Sequence, residues 1–295
     1  MKLSISSYSF QQYIKAGKMT QLDTVKKAHD LGFSAIEFID LQPIYGQRAT
    51  LDEQRAYAVR LREEAEKYGM TINAYTIGAN LFRRGEAAAA EIERLCGQVE
   101  VAALLGATVM RHDVCYKLDA GDPDGRCFDD MLPVMAENIR AVADYAASRG
   151  IRTCSENHGH IAQDSLRVEK LFHTVHHLNY GLLVDVGNFA CVDEDSATAV
   201  SRVANCAVHA HVKDFIKHPF GDGFTGGFVT RGCNRLEACA VGDGDIPVAQ
   251  CLAILERAGY DGFVSVEYEG AGDCLEGIKK SRDFLLRLPQ FKAVC

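Results

Sequence analysis

Four short runs of this chain end on side chains that could hold a cation or move a proton. They are Glu156 in TCSENHG, Asp185 in LLVDVGNF, His211 in HAHVKDF and Glu267 in VSVEYEG. A single acid at the end of an apolar run is usually a cap or an ion-pair partner. Four such residues in chain order, each closing an apolar run, form a set. Three carboxylates crowd together only if a cation offsets their repulsion or some take up protons. Three hard oxygen donors and one imidazole suit Mn²⁺, Mg²⁺ or Co²⁺ better than a thiolate-type zinc site.

Other residues near these runs are candidates for contact with a bound molecule. Two-residue periodicity puts His158 on the face of Glu156, and that predicts a substrate-facing imidazole; His160 lies further into the loop. In Arg111-His112, alternation sends the two side chains to opposite faces, and His112 is the one expected to face the pocket. Glu37, in AIEFI, has two readings: it binds a sugar hydroxyl, or it is an ion-pair partner of Arg111 beneath the site. His209 belongs one layer below His211. Lys213 is expected to reach a hydroxyl, with an ion pair to Asp214 as the plainer reading. Arg231 could close over a substrate, although a solvated surface position is the commoner fate of such a residue. Tyr8 and Phe10 could stack on a sugar face or simply cover the interior. The run Gly242-Asp-Gly-Asp245 lacks the lysine and spacing of a P-loop and reads as a turn. His173, His176 and His177 fall on an outer helix, on the surface.

These positions need elements to carry them. Apolar runs predict strands over 3–7, 35–39, 71–75, 108–112, 152–156, 181–185, 207–212 and 263–267. Amphipathic stretches between them predict helices near 20–31, 51–68, 86–105, 128–149, 162–177, 195–205, 246–259 and 272–288. Gly32, Gly69, Gly106, Gly150 and Gly259 follow helices directly, where a left-handed C-cap is expected. Eight βα units without a composition break predict an α/β fold of one domain, residues 1–295, closed as a single (β/α)8 TIM barrel. No GxGxxG follows an early strand, which disfavours an open doubly wound sheet. Two long loops are expected, without structure of their own: after strand 4, from Cys115 to about Cys127 with GDPDG, and after strand 7, from Phe215 to about Ile246. Chemistry in such a barrel sits where strands end and βα loops begin.

Composition narrows the function. The chain has 295 residues, 47% hydrophobic and 24% charged, with a net charge of −8. It carries no basic tract to neutralise phosphates, so no nucleic-acid partner is expected. No apolar run approaches membrane-spanning length, and no secretory signal is apparent at MKLSISSYSF. The eleven cysteines are scattered, with no CxxC pair. Free thiols in a reducing cytoplasm are expected, with no disulfide or catalytic role.

The runs GFSAIEF (32–38), SENHG (155–159), LLVDVGNF (182–189), HAHVKDF (209–215) and VGDGDIPVAQCLAILERAGYDGFVSVEYEG (241–270), in this order, make the chain resemble the xylose-isomerase-like TIM barrels. That superfamily of sugar isomerases and epimerases also contains endonuclease IV. The resemblance covers essentially the whole chain. It implies that Glu156, Asp185, His211 and Glu267 hold one divalent cation, Mn²⁺ first, with Mg²⁺, Co²⁺ or Zn²⁺ as alternatives. It also implies that Glu156 and Glu267 are the acid/base pair that moves a proton beside a carbonyl through an enediolate. Endonuclease IV relatives carry a His three residues after the strand-6 aspartate. Here that residue is Asn188, and no Asp-x-His follows His211, which together with the acidic charge argues against abasic-site cleavage. Ketose 3-epimerases tend to place a substrate-binding His at the same point; Asn188 can hydrogen-bond a hydroxyl there. ENHG occurs among members acting on cyclitols and oxidised sugars. The expected activity is therefore an isomerase or epimerase of carbohydrate metabolism acting on a small carbohydrate or cyclitol. A dehydratase or lyase on a keto-sugar, keto-inositol or 3-keto-glycoside is the rival, and a non-catalytic sugar-binding barrel is the third class. A homo-oligomer is left open.

Overall fold

The computed structural model describes residues 1–116 and 127–291. Eight parallel strands close into a barrel: β1 (Lys2–Ser6), β2 (Ala35–Ile39), β3 (Thr71–Ile77), β4 (Val109–His112), β5 (Arg152–Glu156), β6 (Tyr180–Asp185), β7 (Ala207–Val212) and β11 (Phe263–Val266). Each pairs with its neighbour in chain order, and β11 closes the ring between β7 and β1. Around them lie α1 (Gln11–Lys15), α2 (Gln21–Asp30), α3 (Leu51–Lys67), α4 (Gly85–Leu105), α5 (Phe128–Ala147), α6 (Ser165–Val175), α7 (Ser196–Val203), α8 (Val248–Arg257) and α9 (Cys274–Leu285). The predicted strands and helices thus recur, with shifts of one to a few residues at their ends. The short α1, inserted between the first strand and its main helix, was not expected.

Local chemistry explains the boundaries. Thr20 and Thr50 open α2 and α3 with capping boxes, each closed by the acid three residues on, Asp23 and Glu53. Gly106 ends α4 at φ 79°, a left-handed cap that a side chain would strain. The helices' apolar faces and the outward strand residues form one continuous core, from Ile5 through Met110 and Val184 to Leu285.

One expectation fails. The segment after β7 is not an unstructured loop. It folds as a three-stranded antiparallel sheet of β8 (Asp214–His218), β10 (Arg235–Cys239) and β9 (Phe228–Val229), with β10 in the middle. The buried Phe215 and Leu236 give it an apolar side, and Phe215 meets Phe228 edge-on at 5.8 Å. Asp214 ties its base: the buried carboxylate accepts backbone N–H groups from Phe215 (2.9 Å), Gly242 (2.9 Å), Gly244 (3.1 Å) and Ile246 (3.0 Å). The Gly242–Asp245 turn therefore spends its two glycine N–H groups on the Asp214 carboxylate and the N–H groups of Asp243 and Asp245 on the Ala240 and Phe215 carbonyls. Asp214 does not pair with Lys213. The other expected long loop, with GDPDG, falls mostly on residues 117–126, outside the described residues.

Candidate metal centre

Strand register decides which side chains meet. Asp185 pairs with His211 across β6 and β7, and His211 pairs with Ser265 on β11. Glu156 is the last residue of β5 and Glu267 follows β11 directly, and all four expected ligands converge. One donor atom from each of Glu156, Asp185, His211 and Glu267 lies within 4.8 Å of the others, and all four residues are buried. His211 Nδ1 stands 3.8 Å from one oxygen of each of the three carboxylates. That is too long for a hydrogen bond. Donors each about 2.1 Å from one ion stand about 3.0–3.4 Å apart, so a small inward shift would bring these four onto a single cation. His211 Nδ1 is buried without a hydrogen-bond partner among the described residues, and Asp185 Oδ2 beside it has only the Lys213 ammonium, at 3.2 Å. Buried polar atoms of this kind cost free energy unless paired, and a divalent cation among the four would pair both.

The surroundings hold these ligands in place. Asp185 Oδ1 accepts from the backbone N–H of Gly187 (2.8 Å) and of Asn188 (2.9 Å), which leaves Oδ2 facing His211. Asn157 bridges the ends of β5 and β6: its amide donates to the Asp185 carbonyl and its oxygen accepts the Asp185 N–H, both at 2.9 Å. Asn188 Nδ2 donates to Glu156 Oε1 at 2.8 Å, and Arg111 grips the other oxygen at 2.5 Å. Burial alone would raise the Glu156 pKa. Arg111, helped by His211, His158 and Lys213, reverses this and keeps the carboxylate below its usual range.

Beneath His211 lies Glu37. Its carboxylate has Oε1 2.7 Å from His211 Nε2 and Oε2 2.5 Å from His209 Nε2, and it accepts from Ser265 Oγ at 2.9 Å. Such a carboxylate behind a ligating histidine fixes which ring nitrogen faces the metal. Burial raises the Glu37 carboxyl's pKa, but the two histidines hold it well below the ordinary range. Glu37, His209 and His211 also form a compact donor cluster. Their direct contacts of 2.5–2.7 Å leave no space for an ion between them.

Several expected substrate contacts need correction. Glu37 has no exposed surface and serves the histidines, neither a sugar hydroxyl nor Arg111. His112 is fully buried and faces outward against Tyr180, ring centroids 6.3 Å apart, with Nδ1 3.0 Å from the Asp113 carbonyl. Burial, with Arg111 beside it, pushes its pKa down to about 4, so it is neutral. Its neighbour Arg111 is the one that points inward, in register with Thr76 and Cys154. Arg231 is turned to the protein: its guanidinium binds Asp164 Oδ2 (2.9 Å) and the His160 carbonyl (2.5 Å). It ties the β8–β10 sheet to the loop after β5. His177, on the outside, pairs with Asp144 at 3.0 Å.

A rule missed in the sequence connects the rest. Four strand ends contribute pairs two residues apart: Arg111 and Asp113, Glu156 and His158, His211 and Lys213, Glu267 and Glu269. The first member lies in the ligand layer and the second one layer further out. Lys213 is buried, and its ammonium contacts Glu267, Asp185 Oδ2 (3.2 Å) and Glu269 (3.4 Å). Burial disfavours its charge, yet Asp185, Glu267 and Glu269 hold its pKa well above the usual range. Gly187 makes room for it: a Cβ there would sit 2.5 Å from Lys213 Cγ. Asp113 Oδ1 is 2.7 Å from Arg111 and 2.9 Å from His158 Nδ1. A continuous chain therefore runs Glu156–Arg111–Asp113–His158. Asp113 and Glu269 could have been found by counting two residues on from Arg111 and Glu267. A cavity of about 170 Å³ opens here, with His158, Asn188, Lys213, Glu269 and Gln163 in its wall.

The chain is a closed eight-stranded TIM barrel with three carboxylates and a histidine, a set that could hold a metal ion, at its C-terminal mouth. Residues 25–288 match the family model of the xylose isomerase-like TIM barrel, and the chain belongs to that family. Inosose dehydratase from Clostridium perfringens is 24% identical over 137 residues, 46% of each chain, so the match spans about half the length of this curated relative. D-psicose 3-epimerase from Clostridium cellulolyticum H10, solved with D-tagatose, superposes with a TM-score of 0.73 at 17% identity, over 99% of this chain and 100% of that one. The IOLI protein with a bound zinc atom gives 0.71 at 18% identity, over 97% of both chains. Among the described residues no helix is long and apolar enough to cross a membrane.

Proposed function

We propose that the protein is a divalent-metal-dependent isomerase or epimerase that moves a proton on the carbon beside a sugar carbonyl. The observation carrying this reading is the placement of His211 Nδ1 at 3.8 Å from three carboxylate oxygens, two of them on Glu156 and Glu267. A bound cation would polarise the carbonyl and stabilise developing enediolate charge. Glu156, Asp185, His211 and Glu267 would hold it; Mn²⁺ is our first choice, then Mg²⁺, Co²⁺ or Zn²⁺.

Glu156 and Glu267 stand on strands separated by β6 and β7, so they approach a molecule in the mouth from two sides. Glu156 enters ionised, held so by Arg111, and takes the proton from the carbon. Glu267 returns a proton from the other side. Return to the same carbon epimerises; return to its neighbour isomerises. Asn188 and Lys213 offer hydrogen bonds to hydroxyl groups from the wall of the cavity. The small-molecule substrate is a carbohydrate or cyclitol, and the free cysteines suit a cytoplasmic setting.

A dehydratase or lyase is the second reading, favoured by one feature. His158 faces the cavity with Nδ1 fixed by Asp113, which leaves Nε2 to protonate a departing oxygen after the same first step. The test is a metal-supplemented screen of ketoses, inososes and 3-keto-glycosides in D₂O. Deuterium at the carbon beside the carbonyl is expected for at least one class. If none incorporates deuterium, proton transfer is not the activity. Loss of a hydroxyl or an alkoxy group in place of simple exchange selects the lyase.

A further inference from the structure

A second cavity opens at the same end of the barrel, between the segments that follow β1 and β2. It measures about 450 Å³, and its wall includes Tyr8, Gln11, Asp40, Gln42, Ile44 and Tyr45. The cavity beside Glu269 and His158 measures about 170 Å³. Pockets that enclose a whole ligand run about 300–1,000 Å³. The smaller cavity is below that range, and the larger is within it.

Tyr8 joins the two. Ser7 Oγ accepts the backbone N–H of Ile39, one residue before Asp40, at 3.1 Å. Ser9 Oγ accepts the Tyr268 N–H at 2.9 Å and donates to the Val266 carbonyl at 3.0 Å, on either side of Glu267. Tyr8 is therefore pinned between the strand end that carries Glu267 and the one that leads into Asp40. Burial, with the charges of Glu269 and Glu267, pushes its phenol up to about 12. Asp40, held at φ 37°, feels the charges of Arg111 and Asp113 from the other side. The wall then combines ring faces and apolar carbons (Tyr8, Tyr45, Ile44) with amide and carboxyl acceptors (Gln11, Gln42, Asp40). This mixture fits a ring that carries hydroxyl groups.

We propose that the pocket between the β1 and β2 segments is a second subsite, which takes a second ring, aryl or sugar, linked to the reacting sugar. The substrate is accordingly a glycoside with an aryl or second sugar ring, not a free monosaccharide. This inference rests on the reading of a keto-sugar held at the metal centre.

The test uses metal-loaded protein and three probes: methyl 3-keto-glucoside, phenyl 3-keto-glucoside and 3-keto-cellobiose. Affinities are measured by calorimetry. At least one two-ring probe should bind about 10- to 100-fold tighter than the methyl compound, the range expected for burying one ring. The stronger of the two identifies the ring as aryl or sugar. Tyr45→Ala and Ile44→Ala lie away from the metal ligands and should cut that preference while leaving methyl-glucoside affinity unchanged; Tyr45→Phe should keep it. The subsite is overturned if all three probes bind within about twofold of one another, if none binds, or if the preference survives both alanine variants. Deuterium exchange into the methyl compound reads the metal centre alone. Exchange without ring preference sinks the subsite only; ring preference without exchange sinks the proton-transfer reading only.

Discussion

Glu37→Gln isolates the role of the carboxylate beneath His211. The substitution keeps the shape but replaces an acceptor on all sides by one acceptor and one donor. Three donors converge on Glu37: His209 at 2.5 Å, His211 at 2.7 Å and Ser265 at 2.9 Å. The new NH₂ must face at least one of them with no exposed surface to relieve it. If it faces His211 Nε2, that nitrogen becomes the acceptor and the ring proton moves to Nδ1, the atom facing the three carboxylates. If it faces His209 or Ser265, a donor–donor clash remains. Loss of such an orienting carboxylate weakens metal binding about 10- to 100-fold, or about 1.4–2.8 kcal/mol. An unsatisfied buried donor adds about 1–3 kcal/mol of lost fold stability. Metal-free protein titrated with Mn²⁺ and Zn²⁺ by calorimetry reads the first quantity, and urea unfolding reads the second. Ser265→Ala, which removes one hydrogen bond but leaves both histidine contacts, should change metal affinity far less. A folded Glu37→Gln protein with wild-type metal affinity refutes this account of Glu37.

Asp185→Ala and His211→Ala should each be recovered with little bound metal by elemental analysis, because each removes a donor that no neighbour replaces; full occupancy with unchanged activity in both defeats the ligand set. Glu156→Gln should weaken metal binding and deuterium exchange together. His158→Ala should retain the metal yet lower turnover by about 10²–10⁴-fold, measured by steady-state kinetics; full turnover makes that imidazole part of a polar turn only. Asp214→Ala strands four backbone N–H groups at the base of the β8–β10 sheet and should destabilise the fold by about 3–5 kcal/mol in urea unfolding, and a loss below about 1 kcal/mol contradicts the grip described for it.

The barrel was legible because each βα unit announces itself locally: an apolar run, an amphipathic run, a glycine stop. The four donors were legible for the same reason, since Glu156, Asp185, His211 and Glu267 all stand where apolar runs end. What depends on register was not. Arg111 and His112 are neighbours in chain, and only pairing with Thr76 and Cys154 decides which one turns inward. Glu37 sits two residues before the end of β2, which brings it beneath His211, not into the mouth. Arg231 finds its partners, Asp164 and His160, more than sixty residues away. The β8–β10 sheet escaped because its strands are short and the nine glycine-rich residues between β8 and β9 dominate the local pattern.

The grip of Asp214 on Gly242, Gly244 and Ile246 has a consequence for how this barrel can vary. The chain leaves β7 and comes back to α8 through one fixed gate closed by the Asp214 carboxylate, and the insert touches the barrel again through Arg231, which holds Asp164 and the His160 carbonyl. A replacement insert that keeps the Asp214 gate and the Arg231 anchor can grow or shrink between them while His211 below and α8 behind stay in place. The roof over the metal ligands is thus separable from the floor that holds them. Grafting a different insert between Asp214 and Gly242 is a direct route to a new substrate preference on an unaltered metal centre.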